Sequence, residues 1–465
     1  MKRILLQTAI LFQVLATAGA QQSLLEDAEK LRLQRQARQQ QELLRRQDER
    51  SSPGRRFRVL NSNATGLSEI VKSAPPVRTE SCLAQAMPPD SGVDLQKIPL
   101  AEWLNDNDKE QIPWRVEVGR PDLRFDQRYE VGYWGSIEVK DLDWPEDGLA
   151  LEFITAISGS DGEWIIPPNT GRQVYERRSK AEPRILFGDC LFLRPGDYNL
   201  VFAVFDSHSG KHSLMQRRIR RDDFSEELLP SLDSKLPTVS FPQSDAAFID
   251  NPETPPPSLV LSVANKQPLE IELISPLNFP AEWVERPDFI RSTTNRLIAG
   301  IAVLSQLKLE NSSISATVVD LVNRETLFEQ SNPFELEWKR LVAAYPKPAE
   351  TNRLSLKAIE TRKGRAAFFR EFLQKQLEGP RERTRVLIIL SGSVLFEGGS
   401  DFTPVSTEGN CRCRVYHLHF QDTATISFND VEKLLRGLRP KTFGIESARD
   451  FRKALADIIR ELESL

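Results

Sequence analysis

Between residues 111 and 222 the apolar positions recur at every second residue. Tyr129, Val131, Tyr133, Ile137 and Val139 alternate with more polar neighbours, and Leu149, Leu151, Phe153 and Ile157 repeat the pattern. A period of two gives each extended segment one face for a core. "ILFGDCLFL" and "YNLVFAVFD" read as two further strands around the Pro195-Gly196 turn, and "SHSGK" as a hairpin loop before "HSLMQRRIR". Short strands at this spacing predict a small antiparallel β-sandwich. Tyr198, just past the turn, is placed either to hold a corner through its hydroxyl or to serve as a core tyrosine.

Beyond residue 258 the period changes. A strand over 258–263 or 269–274 precedes "STTNRLIAGIAVLSQLKL", where Leu297, Ile301, Leu304 and Leu307 mark one helical face and Ser292 is the expected N-cap. "SISATVVDLV" reads as a strand, "FELEWKRLVAAY" and "TNRLSLKAIETRKGRAAFFREFLQKQLE" as helices. "RVLIILSG" is a continuous apolar run suited to a parallel sheet covered on both faces, and "CRVYHLHF" follows as another strand. The last helix, "SARDFRKALADIIREL", opens with Ser447 as cap and Asp450 three residues on, with Phe451, Leu455, Ile459 and Leu462 inward. Strands alternating with helices predict a doubly wound, Rossmann-type α/β domain.

The remaining segments are of a different kind. Residues 1–20 join a basic start (Lys2, Arg3) to an apolar run and an Ala18-Gly19-Ala20 cleavage pattern, which reads as a signal peptide and predicts an extracytoplasmic protein, periplasmic or secreted. Gln7 and Gln13 interrupt that run, and no later stretch is long and apolar enough to span a bilayer. Residues 21–52 are rich in Gln, Arg, Glu and Leu and read as a helical arm without a sustained heptad seam. Residues 53–110 read as a turn-rich connector, and 223–257, ending in "NPETPPPS", as a proline-rich linker. The domains then fall at 111–222, an immunoglobulin-like sandwich, and 258–465, the α/β domain. A formal charge of -4, from 62 basic and 66 acidic residues, argues against nucleic acid as partner.

This order of elements, with "LRPGDYNLVFAVFDSHSGK" as the sandwich hairpin and "TRVLIILSG" as the central strand, resembles the secreted bacterial von Willebrand factor type A-related proteins over residues 111–465. The resemblance implies a divalent cation held by an Asp-x-Ser-x-Ser loop after the first strand and by a later Asp after the central strand, through hard oxygen ligands. In "LEIELISPLNFP" the first Asp position falls on Ser275 or Pro276, and the serine positions fall on Leu277 and Phe279 or on Asn278 and Pro280. The later Asp falls on Gly392. The expectation is therefore a metal-adhesion loop that has lost its metal, with no cofactor. Ser275, Asn278, Ser391 and Ser393 remain as candidate ligand-binding residues, although polar side chains at strand ends need no function.

Four other readings stand beside it. Cys411, Cys413, His417 and His419 share one face of a strand and offer zinc donors, but a row of ligands suits a tetrahedral ion poorly. The four cysteines could instead pair, Cys82 with Cys190 first. "ILSGSVLF" lacks the glycine that a nucleophile elbow requires, so a hydrolase would need a site assembled only in the fold. Trp103, Trp114, Tyr133, Trp134 and Trp144 could form a sugar-stacking platform, although core packing explains them more simply. The expectation is a non-enzymatic exported protein acting through contacts with an unknown protein partner, with an extracytoplasmic hydrolase or carbohydrate-binding protein as the alternative.

Overall fold

The computed structural model describes residues 99–105, 110–146, 148–166, 168–175, 183–224, 228–229, 239–240, 259–278, 287–332, 335–345, 364–378, 383–396, 402–406, 413–421 and 428–465. The expected signal peptide, the helical arm, Cys82, Cys411, Phe279 and Pro280 lie outside them. The described residues form a multidomain, β-rich protein with several antiparallel sheets.

Nine strands build the first part: β1 (Trp114–Val118), β2 (Asp122–Leu123), β3 (Tyr129–Glu138), β4 (Leu149–Ser158), β5 (Asn169–Tyr175), β6 (Arg184–Leu193), β7 (Tyr198–Asp206), β8 (His212–Ile219) and β9 (Val239–Ser240). They make two antiparallel sheets, β1-β3-β6-β9 with β2 beside β3, and β5-β4-β7-β8. The inward residues of both, including Tyr133, Ile137, Leu151, Phe153, Leu191 and Phe202, share one core. Tyr198 does hold its corner: its hydroxyl donates to the Arg194 carbonyl at 2.6 Å.

Two expectations about boundaries are corrected. The connector does not run unbroken to 110, because Leu100–Asn105 is a helix, α1, whose Leu100 and Trp103 cover Ile154, Ala156, Val201, Ala203 and Leu214 on the outer face of the second sheet. Those strands are apolar on both faces, which alternation alone does not capture. The linker likewise contains β9, whose Val239 pairs with Leu193.

The second part contains β10 (Leu261–Val263), β11 (Leu269–Leu277), α2 (Pro287–Leu304), β12 (Leu307–Leu309), β13 (Ser313–Asp320), β14 (Glu325–Ser331), α3 (Trp338–Ala343), α4 (Arg365–Leu377), β15 (Thr384–Ser391), β16 (Cys413–Phe420), α5 (Asp430–Leu435), β17 (Lys441–Ile445) and α6 (Ala448–Ser464). One six-stranded sheet runs β14-β13-β11-β15-β16-β17, parallel except for the β14 edge, which forms a hairpin with β13. Side chains of α2, α3 and α6 share one core with one face of this sheet, and those of α4 and α5 share another with the opposite face. Gly300 allows α2 to lie close, since a Cβ there would stand 2.7 Å from Leu390. The capping box of α6 is present, with the Asp450 amide donating to Ser447 Oγ and the Ser447 amide donating to Asp450 Oδ2. α2 begins before the expected cap, so Ser292 lies inside the helix. Leu307 leaves that helix for β12, which pairs in parallel with β10.

Among the described residues, one turn locks the two parts together. Residues 124–128, between β2 and β3, pack at the end of β16 and the start of α6. Gln127 is buried at φ 65, a left-handed backbone uncommon for a residue with a side chain. Arg452, 2% exposed in α6, donates to Gln127 Oε1 (3.0 Å), the Gln127 carbonyl (2.7 Å) and the Tyr129 hydroxyl (2.8 Å), with its guanidinium 4.8 Å from the Tyr129 ring centre. Phe125 of the same turn lies between Phe420 and the Arg296 guanidinium.

One buried carboxyl is destabilising at neutral pH. Glu272 on β11 has a buried Oε2 with no hydrogen-bond partner among the described residues. Burial pushes its pKa up to about 7; Arg385 opposes this, and Glu270 and Glu329 add to it. A folded value above the unfolded one gives stability that is complete below about pH 4.5 and lost as the pH rises through 7. Glu272→Gln is therefore expected to stabilise the protein by about 2 kcal/mol at pH 8 and by nearly nothing at pH 4.5, as read by urea denaturation at the two pH values.

Candidate functional site

In the six-stranded sheet the chain passes from β11 first to β13 on one side and later to β15 on the other. The carboxyl ends of β11 and β15 thus flank a switch of direction, where open parallel sheets present their ligand crevice. All four candidate residues lie there, and all four are buried.

They do not all line one site: of the four, Asn278 and Ser393 share a small cavity. β11 extends to Leu277, beyond the strand expected to end at 274, and keeps its pairing with β13 through Pro276 and Leu277 after its pairing with β15 has stopped at Ile274. Ser275 therefore points toward α3, where its Oγ meets the Tyr345 hydroxyl at 3.1 Å. Asn278 points the other way. Its Nδ2 donates to the Leu395 carbonyl at 3.0 Å, and its Oδ1 accepts from Arg365 at 3.2 Å. Ser391 Oγ lies 2.8 Å from His417 Nε2, and Ser393 Oγ accepts from the Phe428 amide at 2.7 Å. Each candidate is held by an internal hydrogen bond.

What separates them is a cavity of only about 10 Å³, lined among others by Asn278, Thr293, Gly392 and Ser393. That is no larger than a single water. Gly392, where the resemblance places an Asp, faces α2: a Cβ would stand 2.5 Å from Thr293 Cγ2. The residues present do not fit a hard divalent cation. Such an ion needs several anionic or neutral oxygens facing one point, whereas here the one amide oxygen already accepts from a guanidinium that is 3% exposed. Arg365 thus places fixed positive charge beside the crevice. Among the described residues no group of three or more His, Cys, Asp or Glu side chains could hold a metal ion.

Sequence reasoning missed the pairing of Ser391 with His417 and the arrival of Arg365. The first was available in principle, because Ser391 ends β15 and His417 lies two register positions away in the adjacent parallel strand β16; the second comes from a helix whose packing the sequence does not specify. Ser391 and His417 do not make a catalytic dyad. Ser391 is fully buried, His417 Nδ1 has no partner among the described residues, and burial together with His419 pushes the His417 pKa down to about 3. A general base works best near the operating pH.

The cysteine readings are corrected. Cys190 is a buried thiol in mid-strand β6, in register with Gly132, so the Cys82–Cys190 disulfide is not formed. Cys413 is in a disulfide whose other half lies outside the described residues. A disulfide sulfur is not a thiolate ligand, so the row Cys411, Cys413, His417, His419 does not supply four zinc donors. His417 and His419 do share a face, with ring centres 5.8 Å apart.

The aromatic residues do not form one platform. Trp103 stacks on His212 at 4.3 Å on the outer face of the second sheet, Tyr133 is in the core, and Trp114 and Trp144 pack against it. Trp134, at 42% exposed, points outward from the first sheet beside Leu186 at 74%. In register, Trp134 faces Gly188 and Leu186 faces Ser136.

No protein-family model and no curated protein matches the chain. Solved structures match only distantly. A Northeast Structural Genomics Consortium target is 13% identical over 24% of this chain and 88% of its own, with a TM-score of 0.16. A glycosyl hydrolase family 2 member from Bacteroides cellulosilyticus is 9% identical over 71% and 45%, with a TM-score of 0.18. A putative beta-galactosidase from Bacteroides fragilis is 8% identical over 66% and 42%, with a TM-score of 0.16. Scores this low carry no inference about fold or function.

Proposed function

We propose that this chain is an exported, non-catalytic protein-interaction or scaffold protein, in which a β-sandwich is joined to a von Willebrand A-like, doubly wound α/β domain that works without a metal. The strand order, the helices on both sheet faces and the switch of direction between β11 and β15 support the α/β assignment. The leader-like residues 1–20 support export. Among the described residues no helix is long and apolar enough to cross a membrane.

The observation that carries the reading is Arg365 donating to Asn278 at the crevice. Where cation chemistry would need an oxygen cage, the protein has placed its own cation and tied every candidate polar side chain to an internal partner. Contacts must then come from elsewhere. The outward face of the first sheet, with Trp134 and Leu186 rimmed by Arg115, Glu117 and the Arg184–Glu138 ion pair, has an apolar centre and a charged rim, the anatomy of a protein contact.

Calorimetric titration of the purified mature chain with Mg²⁺, Mn²⁺ and Zn²⁺ tests the metal-free claim. No binding tighter than about millimolar is expected, since the like charge of Arg365 opposes cation entry. Stoichiometric micromolar binding that survives alteration of His417 and His419 would place a cation at the crevice and end this reading.

A further inference from the structure

We propose that His417 and His419 form an acid-sensitive latch, in which protonation of the pair loosens the end of β16 and releases the sandwich turn docked on it. The geometry is that of two imidazoles built to stay neutral. His419 Nδ1 lies 3.1 Å from Gln421 Nε2, an amide nitrogen that can only donate, so Nδ1 accepts. The Phe428 backbone also acts on the ring, favouring its charged form less than burial opposes it. A proton added at Nδ1 would set donor against donor. His417, fully buried, uses Nε2 on Ser391 and has no acceptor for a proton at Nδ1 among the described residues. The stacked rings also oppose each other's charge.

The charged and titratable groups on this side of the sheet offer little relief. Arg365 is engaged with Asn278; Asp430 accepts from the Phe396 amide and pairs with Lys433. Among the described residues no carboxylate is a cause of either shift, and burial lowers His417 to about 3 and His419 to about 4. Protons therefore favour any form in which the rings reach water and recover their ordinary value of 6.5.

The end of β16 is also the seat of the sandwich. Phe420 meets Phe125 of the docking turn, and the Gln421 carbonyl accepts from Arg296 at 2.7 Å, the same guanidinium that covers Phe125. Gln421 thus touches His419 with its side chain and the sandwich clamp with its backbone. Around the turn stand Arg124, Asp126, Arg128, Glu130 and Arg452. Of these, Asp126 acts in the opposite sense: burial raises its pKa, so acid favours the docked form there. Asp126→Asn removes that opposing contribution at the docking turn.

The sign is fixed by linkage. Latch strength is complete above pH 6.5 and falls below it, roughly tenfold in the docked-to-open ratio per pH unit for each released ring, until the folded values are reached. Small-angle scattering on the full mature chain from pH 7.5 to 4.5, with far-UV circular dichroism alongside, reads the opening. The expected result is a reversible rise in radius of gyration below pH 6.5 with strand signal retained, and a shift of the midpoint to lower pH in H419Q, whose amide can serve both contacts without titrating. A radius that stays constant to pH 4.5 in both the native chain and D126N overturns the proposal, as does a rise that only accompanies loss of strand signal. Should H419Q not fold, ¹³C-labelled histidine resonances of the native chain decide: the chain has only four histidines, and two must begin to titrate together with the change in radius. Two rings that remain neutral while the radius rises refute the latch.

Discussion

Arg452→Met is expected to divide a single cooperative urea transition into two, with the sandwich and the α/β part unfolding separately, and to cost about 3 kcal/mol of the coupling between them. The arginine makes three hydrogen bonds into the docking turn, and Met removes all of them while retaining most of the volume. What remains is a buried Gln127 carbonyl, a Gln127 side-chain oxygen and a Tyr129 hydroxyl with lost partners, each costing about 1–3 kcal/mol if water does not reach it. Recovery of the arginine's own hydration offsets part of that sum. A conservative lysine does not help, because one ammonium cannot span a ring face, a side-chain oxygen and a backbone carbonyl together. Coincident unfolding monitored by tryptophan fluorescence and circular dichroism, unchanged in the variant, would show that the turn is not what couples the two parts.

Restoring the carboxylate that the resemblance asks for should not restore a metal site. Gly392→Asp is expected to destabilise the protein by about 3 kcal/mol or more and to bind no Mg²⁺. The steric part arises because the new Cβ would stand 2.5 Å from Cγ2 of Thr293, a β-branched residue in α2. Gly392→Ala isolates it and should cost about 1–3 kcal/mol. The remainder is the expense of burying a carboxylate in a largely enclosed interior. Thermal denaturation of the two variants, with and without 10-millimolar-scale Mg²⁺, separates the contributions; a cation-dependent gain in G392D would mean that the pocket can open for an ion after all.

The strands of the α/β part were legible because their signals are local. "CRVYHLHF" and "RVLIILSG" are apolar without interruption, and Ser447 with Asp450 is a complete capping signal. α1 and β9 were not, because each is stabilised by residues far away in sequence: Trp103 by Phe205 and His212, Val239 by Leu193. The end of β11 was misjudged for a specific reason. Proline at 276 usually breaks a ladder, but this part of β11 no longer pairs with β15, while its pairing with β13 continues to Leu277. That one extension sends Ser275 and Asn278 to opposite faces, so a pair that looked like neighbours in a loop became two unrelated interior contacts. The four candidate residues do lie at the strand ends, but their surroundings depend on Arg365 and His417, whose arrival no local pattern announces.

The short helix over Leu100–Asn105 changes where the protein can be cut. Because it covers Ile154, Ala156, Val201, Ala203 and Leu214, the centre of the second sheet of the sandwich is buried on both sides. A fragment started at residue 111, where the alternating pattern begins, would carry an uncovered apolar wall and tend to pair with its own copies. The smallest fragment that keeps itself soluble must therefore begin upstream of Leu100, within a stretch whose composition looks dispensable.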